Sequence, residues 1–182
     1  DGVLSNFFRG FDGTGGAMFG PNTAPTLGDW DGDGDLDLFI GYSPGGVRVF
    51  ENIGSRYTLN LSERTANFAS LASAWSGIAS PALALGDWSG DGRADLVAGG
   101  SGGTLRIISS TGRFTAPQSP AVNYTLATGA TNAIPALADV NGDVRMDLLV
   151  LLPDGLVNVY TNTGSVTYTP NTNFNGGDSF TF

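Results

Sequence analysis

"GDWDGDGDLDLFIG", residues 28–41, sets Asp29, Asp31, Asp33, Asp35 and Asp37 on alternate positions ahead of an apolar run. Five like charges that close repel one another and would destabilise a folded turn unless something compensates them. Two further stretches align with this one: "GDWSGDGRADLVAGG" at 86–100 and "ADVNGDVRMDLLVLL" at 138–152. Their leading aspartates, Asp29, Asp87 and Asp139, are 58 and 52 residues apart. A recurrence of that length marks a repeat architecture, with the difference absorbed by loop insertions.

Numbered from its first aspartate, each loop carries an oxygen side chain at four fixed places. Position 1 is Asp29, Asp87 or Asp139, and position 3 is Asp31, Ser89 or Asn141. Position 5 is Asp33, Asp91 or Asp143, and position 9 is Asp37, Asp95 or Asp147. Position 7 varies as Asp35, Arg93 or Arg145, so it is read as a backbone-carbonyl ligand whose side chain points outward. Gly32, Gly90 and Gly142 at position 4 allow the sharp turn. This is the ligand spacing of a Ca²⁺ loop, and the expectation is up to three bound ions. An EF-hand does not fit, because its twelfth position needs a bidentate glutamate and Ile40, Ala98 and Val150 stand there. Eleven of the 17 acidic residues fall in these loops, which argues against chance clustering.

Around each loop the sequence reads as four short strands. A small-residue run such as Pro81 to Leu85 enters the loop, and a continuous apolar run leaves it (38–40, 96–98, 148–152). A Gly-containing turn leads to a third strand (47–50, 105–108, 156–160), and a fourth is expected around Tyr57, Phe114 and Tyr168. Residues 61–76 are the one stretch suited to a short helical turn. The fold class is therefore all-β, with four-stranded units stacked as the blades of a β-propeller. The expected organisation is a half blade at 1–21, blades at 22–78, 79–130 and 131–170, and a tail at 171–182. "DGVLSNFF" (1–8) resembles "DGLVNVYT" (154–161), so the chain is expected to start inside a blade. About three and a half blades fall short of the four to eight of a closed propeller; the tail could complete a small fourth blade with the N-terminal half, and the favoured expectation is that another chain, or more of a longer polypeptide, completes it.

Composition narrows the chemistry. The net charge is −9, and all eight basic residues are arginine. Nucleic acid is excluded as a partner for want of a basic footprint. Without lysine there is no Schiff base and no P-loop, and without cysteine or histidine there is no Ser-His-Asp, Cys-His or ordinary zinc site. No apolar run of 18 residues exists to insert in a membrane. Outside the loops the only acids are Asp1, Asp12, Glu51, Glu63, Asp154 and Asp178, and Asp1 and Asp154 read as hairpin-turn residues, so no catalytic pair is assigned. Trp30 and Trp88, at position 2 of their loops, are expected to pack between blades. Trp75, in the irregular 61–76 insertion, is the better surface contact. Asn60 and Asn123 begin two glycosylation triplets.

The repeats resemble FG-GAP/VCBS repeats, the blades of integrin-α-type and bacterial surface propellers. The motif Asp-x-(Asp/Asn/Ser)-Gly-Asp-Gly-x-x-Asp-Leu is matched in full at 29–38 and 87–96. The third copy departs from it, with Val144 where glycine is usual at position 6. The resemblance implies Ca²⁺-binding loops that brace each blade, and recognition carried by other loops. "GSVTYTPNTNFNGGDSFTF" (164–182) is similar to cadherin-like tandem repeats of bacterial adhesins. Together these imply a non-catalytic extracellular module that recognises a protein or glycan at a cell surface. One alternative is a subunit of an extracellular fibre or sheath that self-associates by strand or blade exchange. Another is an accessory module of a polysaccharide-active enzyme.

Overall fold

The computed structural model describes residues 22–55, 57–73, 78–101, 103–114, 122–127 and 132–164. The expected half blade at 1–21, Trp75, Tyr168 and the tail beyond 164 lie outside them.

Three antiparallel sheets follow one another along the chain. The first is β1 (Ala24–Gly28), β2 (Asp37–Tyr42), β3 (Gly46–Asn52) and β4 (Leu61–Glu63), paired in that order. The second is β5 (Ala82–Gly86), β6 (Asp95–Gly99), β7 (Thr104–Ile108) and β8 (Val122–Ala127), again in chain order. The third is β9 (Ile134–Ala138), β10 (Asp147–Leu151) and β11 (Val157–Tyr160). Each is a meander in which a strand pairs with the next in sequence, and each acidic loop joins its sheet's first two strands. A 3-10 helix, Thr65–Ser73, follows β4.

The sheets stack face to face, and the two seams between them are the core. Trp30, Phe39, Val47, Val49 and Phe68 of the first blade meet Leu96, Ile108 and Phe114 of the second. Val97, Leu105 and Ile107 of the second meet Leu148 and Val150 of the third. The middle strand β6 is buried at every residue because it has a neighbour on both faces. Its continuous apolar reading, without polar alternation, has that cause.

Small residues set the spacing. A Cβ on Gly28 would lie 2.6 Å from that of Leu85, and one on Gly86 would lie 3.1 Å from a Leu137 methyl. The inner strands of successive blades therefore approach at positions where only glycine fits.

Two expected outer strands sit elsewhere. Tyr57 lies in a turn closed by the Ser55–Thr58 bridge and is 88% exposed, so the fourth strand is displaced to Leu61–Glu63. Phe114 belongs to no strand. Its ring packs 5.9 Å from Phe68 in the first seam, and the fourth strand of that blade is Val122–Ala127. In both cases the turn after the third strand is followed by further irregular chain. The helical expectation at 61–76 resolves into β4 and the 3-10 helix, whose Phe68 seals the seam around Trp30.

Gly41 tests the seam. Its φ is not in the left-handed region, but a Cβ there would be driven into the Pro81 carbonyl oxygen of the next blade. Gly41→Ala is expected to destabilise the fold by about 2 kcal/mol through overpacking, read as a fall in the thermal midpoint.

Candidate metal centre

The three acidic loops share one hydrogen-bond pattern. At position 1, Oδ1 of Asp29, Asp87 and Asp139 accepts the N–H of residue 4, at 2.7 Å in each loop. The same oxygen accepts from residue 5 at 3.1, 3.0 and 3.2 Å. Oδ2 accepts from residue 6 at 3.0, 2.9 and 2.9 Å. Position 5 caps position 7: Asp33, Asp91 and Asp143 accept the N–H of Asp35, Arg93 and Arg145. At position 3, Asp31 and Asn141 accept the N–H of residue 5.

Position 9 is the most enclosed. Asp37, Asp95 and Asp147 are 1%, 0% and 0% exposed. One oxygen of each accepts an N–H from the start of its own loop, donated by Trp30, Ser89 or Val140. The other accepts an N–H fifteen residues ahead, from Asn52, Ser110 or Asn162, where the third strand ends. No arginine pairs with these three carboxylates among the described residues.

Backbone conformation explains the glycines. Position 4 has φ near +80° in all three loops, and position 6 has φ +92° at Gly34 and +86° at Gly92. Val144 adopts +72° at the same place. The third loop thus keeps the shape of the others while holding a β-branched residue in the left-handed region, a strained state. Val144 is 90% exposed, so no packing offsets the strain.

The arrangement can hold a cation. Carboxylate oxygens of Asp29, Asp31 and Asp37 lie within 4.8 Å of one another. That separation suits oxygens placed around a single Ca²⁺ at roughly 2.3–2.6 Å. Burial is the chief reason that Asp31, Asp35, Asp37 and Asp95 are all shifted above the ordinary aspartate range. For Asp37 burial outweighs the two N–H donors and pushes the carboxyl up to about 7. A bound dication would reverse that preference.

One expected role is corrected. Asp35 does not point outward: it is 7% exposed, and its Oδ1 has no hydrogen-bond partner. Arg93 and Arg145 do reach outward, each toward the position-5 aspartate of its own loop, at 3.1 and 3.6 Å. An aspartate side chain is too short to escape the loop as arginine does, and it folds in against the blade. Trp30 packs between the first two blades as expected, its ring 5.3 Å from Phe39. Trp88 packs at the edge of the second seam. The position-9 bond to the third strand's end lies too far along the chain for loop spacing to show it. The only sequence signal is Asn, Ser and Asn at 52, 110 and 162, the same offset in each repeat.

Asp1, Asp12 and Asp178 lie outside the described residues, and the described acids outside the loops are committed elsewhere. Glu51 pairs with Arg64 at 2.6 Å and Glu63 with Arg48 at 2.7 Å. Asp154 accepts the N–H of Leu156, as a hairpin turn requires.

A profile of the FG-GAP-like repeat family matches residues 29–98 and again residues 87–150. No curated protein and no solved structure gives a match.

Two outcomes are expected. Val144→Gly relieves left-handed strain and should stabilise the chain by about 1 kcal/mol after the unfolded-state entropy of glycine is subtracted. Denaturant titration reads this, and an unchanged or lowered midpoint refutes it. In a chelating buffer the raised carboxyls favour the protonated fold. The contribution of Asp37 is complete below the unfolded value of 3.8 and is lost as pH rises through about 7, and the other raised carboxyls act in the same direction. The melting temperature in EDTA should therefore fall between pH 5 and pH 8.

Proposed function

The chain belongs to the FG-GAP-like repeat family, and from that premise we propose that it is a calcium-braced, non-catalytic recognition module of the cell exterior, binding a protein or glycan. The observation that carries the reading is the convergence of Asp29, Asp31 and Asp37 in a loop pattern built three times over. In the first loop the holding groups are the side chains of Asp29, Asp31, Asp33 and Asp37 with the carbonyl of Asp35. In the second they are Asp87, Ser89, Asp91 and Asp95 with the carbonyl of Arg93. In the third they are Asp139, Asn141, Asp143 and Asp147 with the carbonyl of Arg145. A bound Ca²⁺ supplies positive charge and a cross-link, and the chain's own carboxylates do the rest by orienting the turn. The family is generally non-catalytic, and Glu51 and Glu63 are held in ion pairs, which supports a binding role. Among the described residues no helix is long and apolar enough to cross a membrane.

A second reading, a fibre or sheath subunit completed by another chain, draws on the outer face of the third blade. Leu151, Val157 and Val159 there are 42%, 53% and 50% exposed. The equivalents of the last two, Leu105 and Ile107, are buried one blade earlier.

Calcium at about a hundredfold excess over its dissociation constant stabilises a native state by about 2.7 kcal/mol per site. The melting temperature should therefore rise by about 5 °C or more on moving from EDTA to millimolar Ca²⁺. An unchanged melting temperature removes the ion from the reading.

A further inference from the structure

The three loops agree at their ligand positions and differ at position 7, which stands at a seam. Arg93 reaches back over the first loop: a Cβ on Gly32 would meet its Cγ at 3.4 Å. Beside it, the N–H of Ala94 donates to the Asp29 carbonyl at 2.8 Å. Arg145 lines a cavity of about 170 Å³ whose opposite wall includes Asp87, Ser89 and Gly90 of the second loop. Residue 7 of a blade thus faces the acidic loop of the blade before it, and in both seams it is an arginine.

In the first blade that residue is Asp35, and no described blade precedes it. Its carboxylate is more than nine-tenths buried, with Oδ1 unpartnered. It lies in a groove of about 610 Å³ walled mainly by Leu27, Leu36, Leu38, Leu59, Leu61 and Tyr57. Four of these are more than half exposed: Leu27 at 54%, Leu36 at 53%, Leu59 at 51% and Tyr57 at 88%. One blade on, the same sheet face is covered, because Leu85, Leu96 and Ile108 pack into the first seam. The groove is therefore a seam surface with an acid where the filled seams carry a base.

That reversal selects the occupant. A second copy stacked head to tail would bring its Asp139–Asp147 loop against Asp35, acid on acid. A neutral glycan would leave a buried carboxylate uncompensated, which costs free energy. A cationic side chain suits both halves of the site, its stem along the leucines and its charge beside the Asp35 carboxylate that lines the groove.

We propose that the outer face of the first blade is a docking groove for a partner protein segment, which places one arginine or lysine against Asp35 and aliphatic neighbours against Leu27, Leu36 and Leu59. This rests on the reading of the chain as a binding module and not on its calcium chemistry.

The test titrates the full chain, in millimolar Ca²⁺, with four capped peptides of sequence Val-Thr-Val-Xaa-Val-Thr-Val, where Xaa is Arg, Lys, Gln or Glu. Binding is read by NMR from the leucine methyls and the Tyr57 ring. The Arg and Lys peptides should bind at least about tenfold more tightly than the Gln peptide, as expected for a charge-assisted bond, and the Glu peptide should not bind. Asp35→Asn should remove the preference for a cation, and Asp35→Arg should abolish binding of the Arg and Lys peptides. Equal binding of the Arg and Gln peptides, indifference to Asp35→Asn, or no shift in the groove overturns the proposal. Sedimentation equilibrium of the same samples supplies a further arm. Self-association that Asp35→Arg strengthens would make a second copy the occupant and would also overturn it. The calcium-induced rise in melting temperature, measured alongside, reports separately on the ion reading.

Discussion

The structure hangs on a buried carboxylate that recurs once per blade. Asp37, Asp95 and Asp147 each hold one N–H at the start of the acidic loop and another at the end of the third strand. Without the carboxylate, two backbone donors would be left unpaired beside the core, each at the full desolvation cost of a lost hydrogen bond. With it, the loop cannot drift from the β2–β3 hairpin or its equivalents. The position-1 and position-3 oxygens are brought together as a consequence. The same bond holds the backbone of Trp30, whose ring then enters the seam between blades. The loop and the core are in this way one construction.

The seams follow from that placement. Each blade offers two unlike apolar faces, and a face is buried only when a neighbour supplies the other kind. Val97, Leu105 and Ile107 are buried because the third blade stands against them. Their repeat partners Leu149, Val157 and Val159 face outward on the last blade described, where Val157 and Val159 are half exposed. Stability in such a stack is close to a sum of blades and nearest-neighbour interfaces. The middle blade is therefore the most secure element, and the end faces are where binding can add most.

Much of this was legible from residue spacing. Three loops in register, the glycines at position 4, the conflict at Val144 and the continuous run of β6 all follow from local rules that a repeat displays three times. The outer strands were not, because their positions depend on irregular chain that differs between blades and on where Phe68 and Phe114 find cover. Asp35 departs from its expected outward role for a related reason: that role follows from Arg93 and Arg145, and a short acid cannot follow the path of a long base. The second bond of position 9 was hidden because it joins residues fifteen apart across a hairpin, where no loop motif reaches.

Position 7 gives the stack a direction. An arginine there lies beside the acidic loop of the preceding blade while its guanidinium pairs with the position-5 aspartate of its own loop, and the apolar faces supply the area of the seam. Exchanging that arginine for aspartate leaves the apolar face intact and reverses the electrostatic sign, and close like charges disfavour a wrong partner. In the first blade the same place holds Asp35, so the electrostatic sign on that face is the reverse of that in the two described seams.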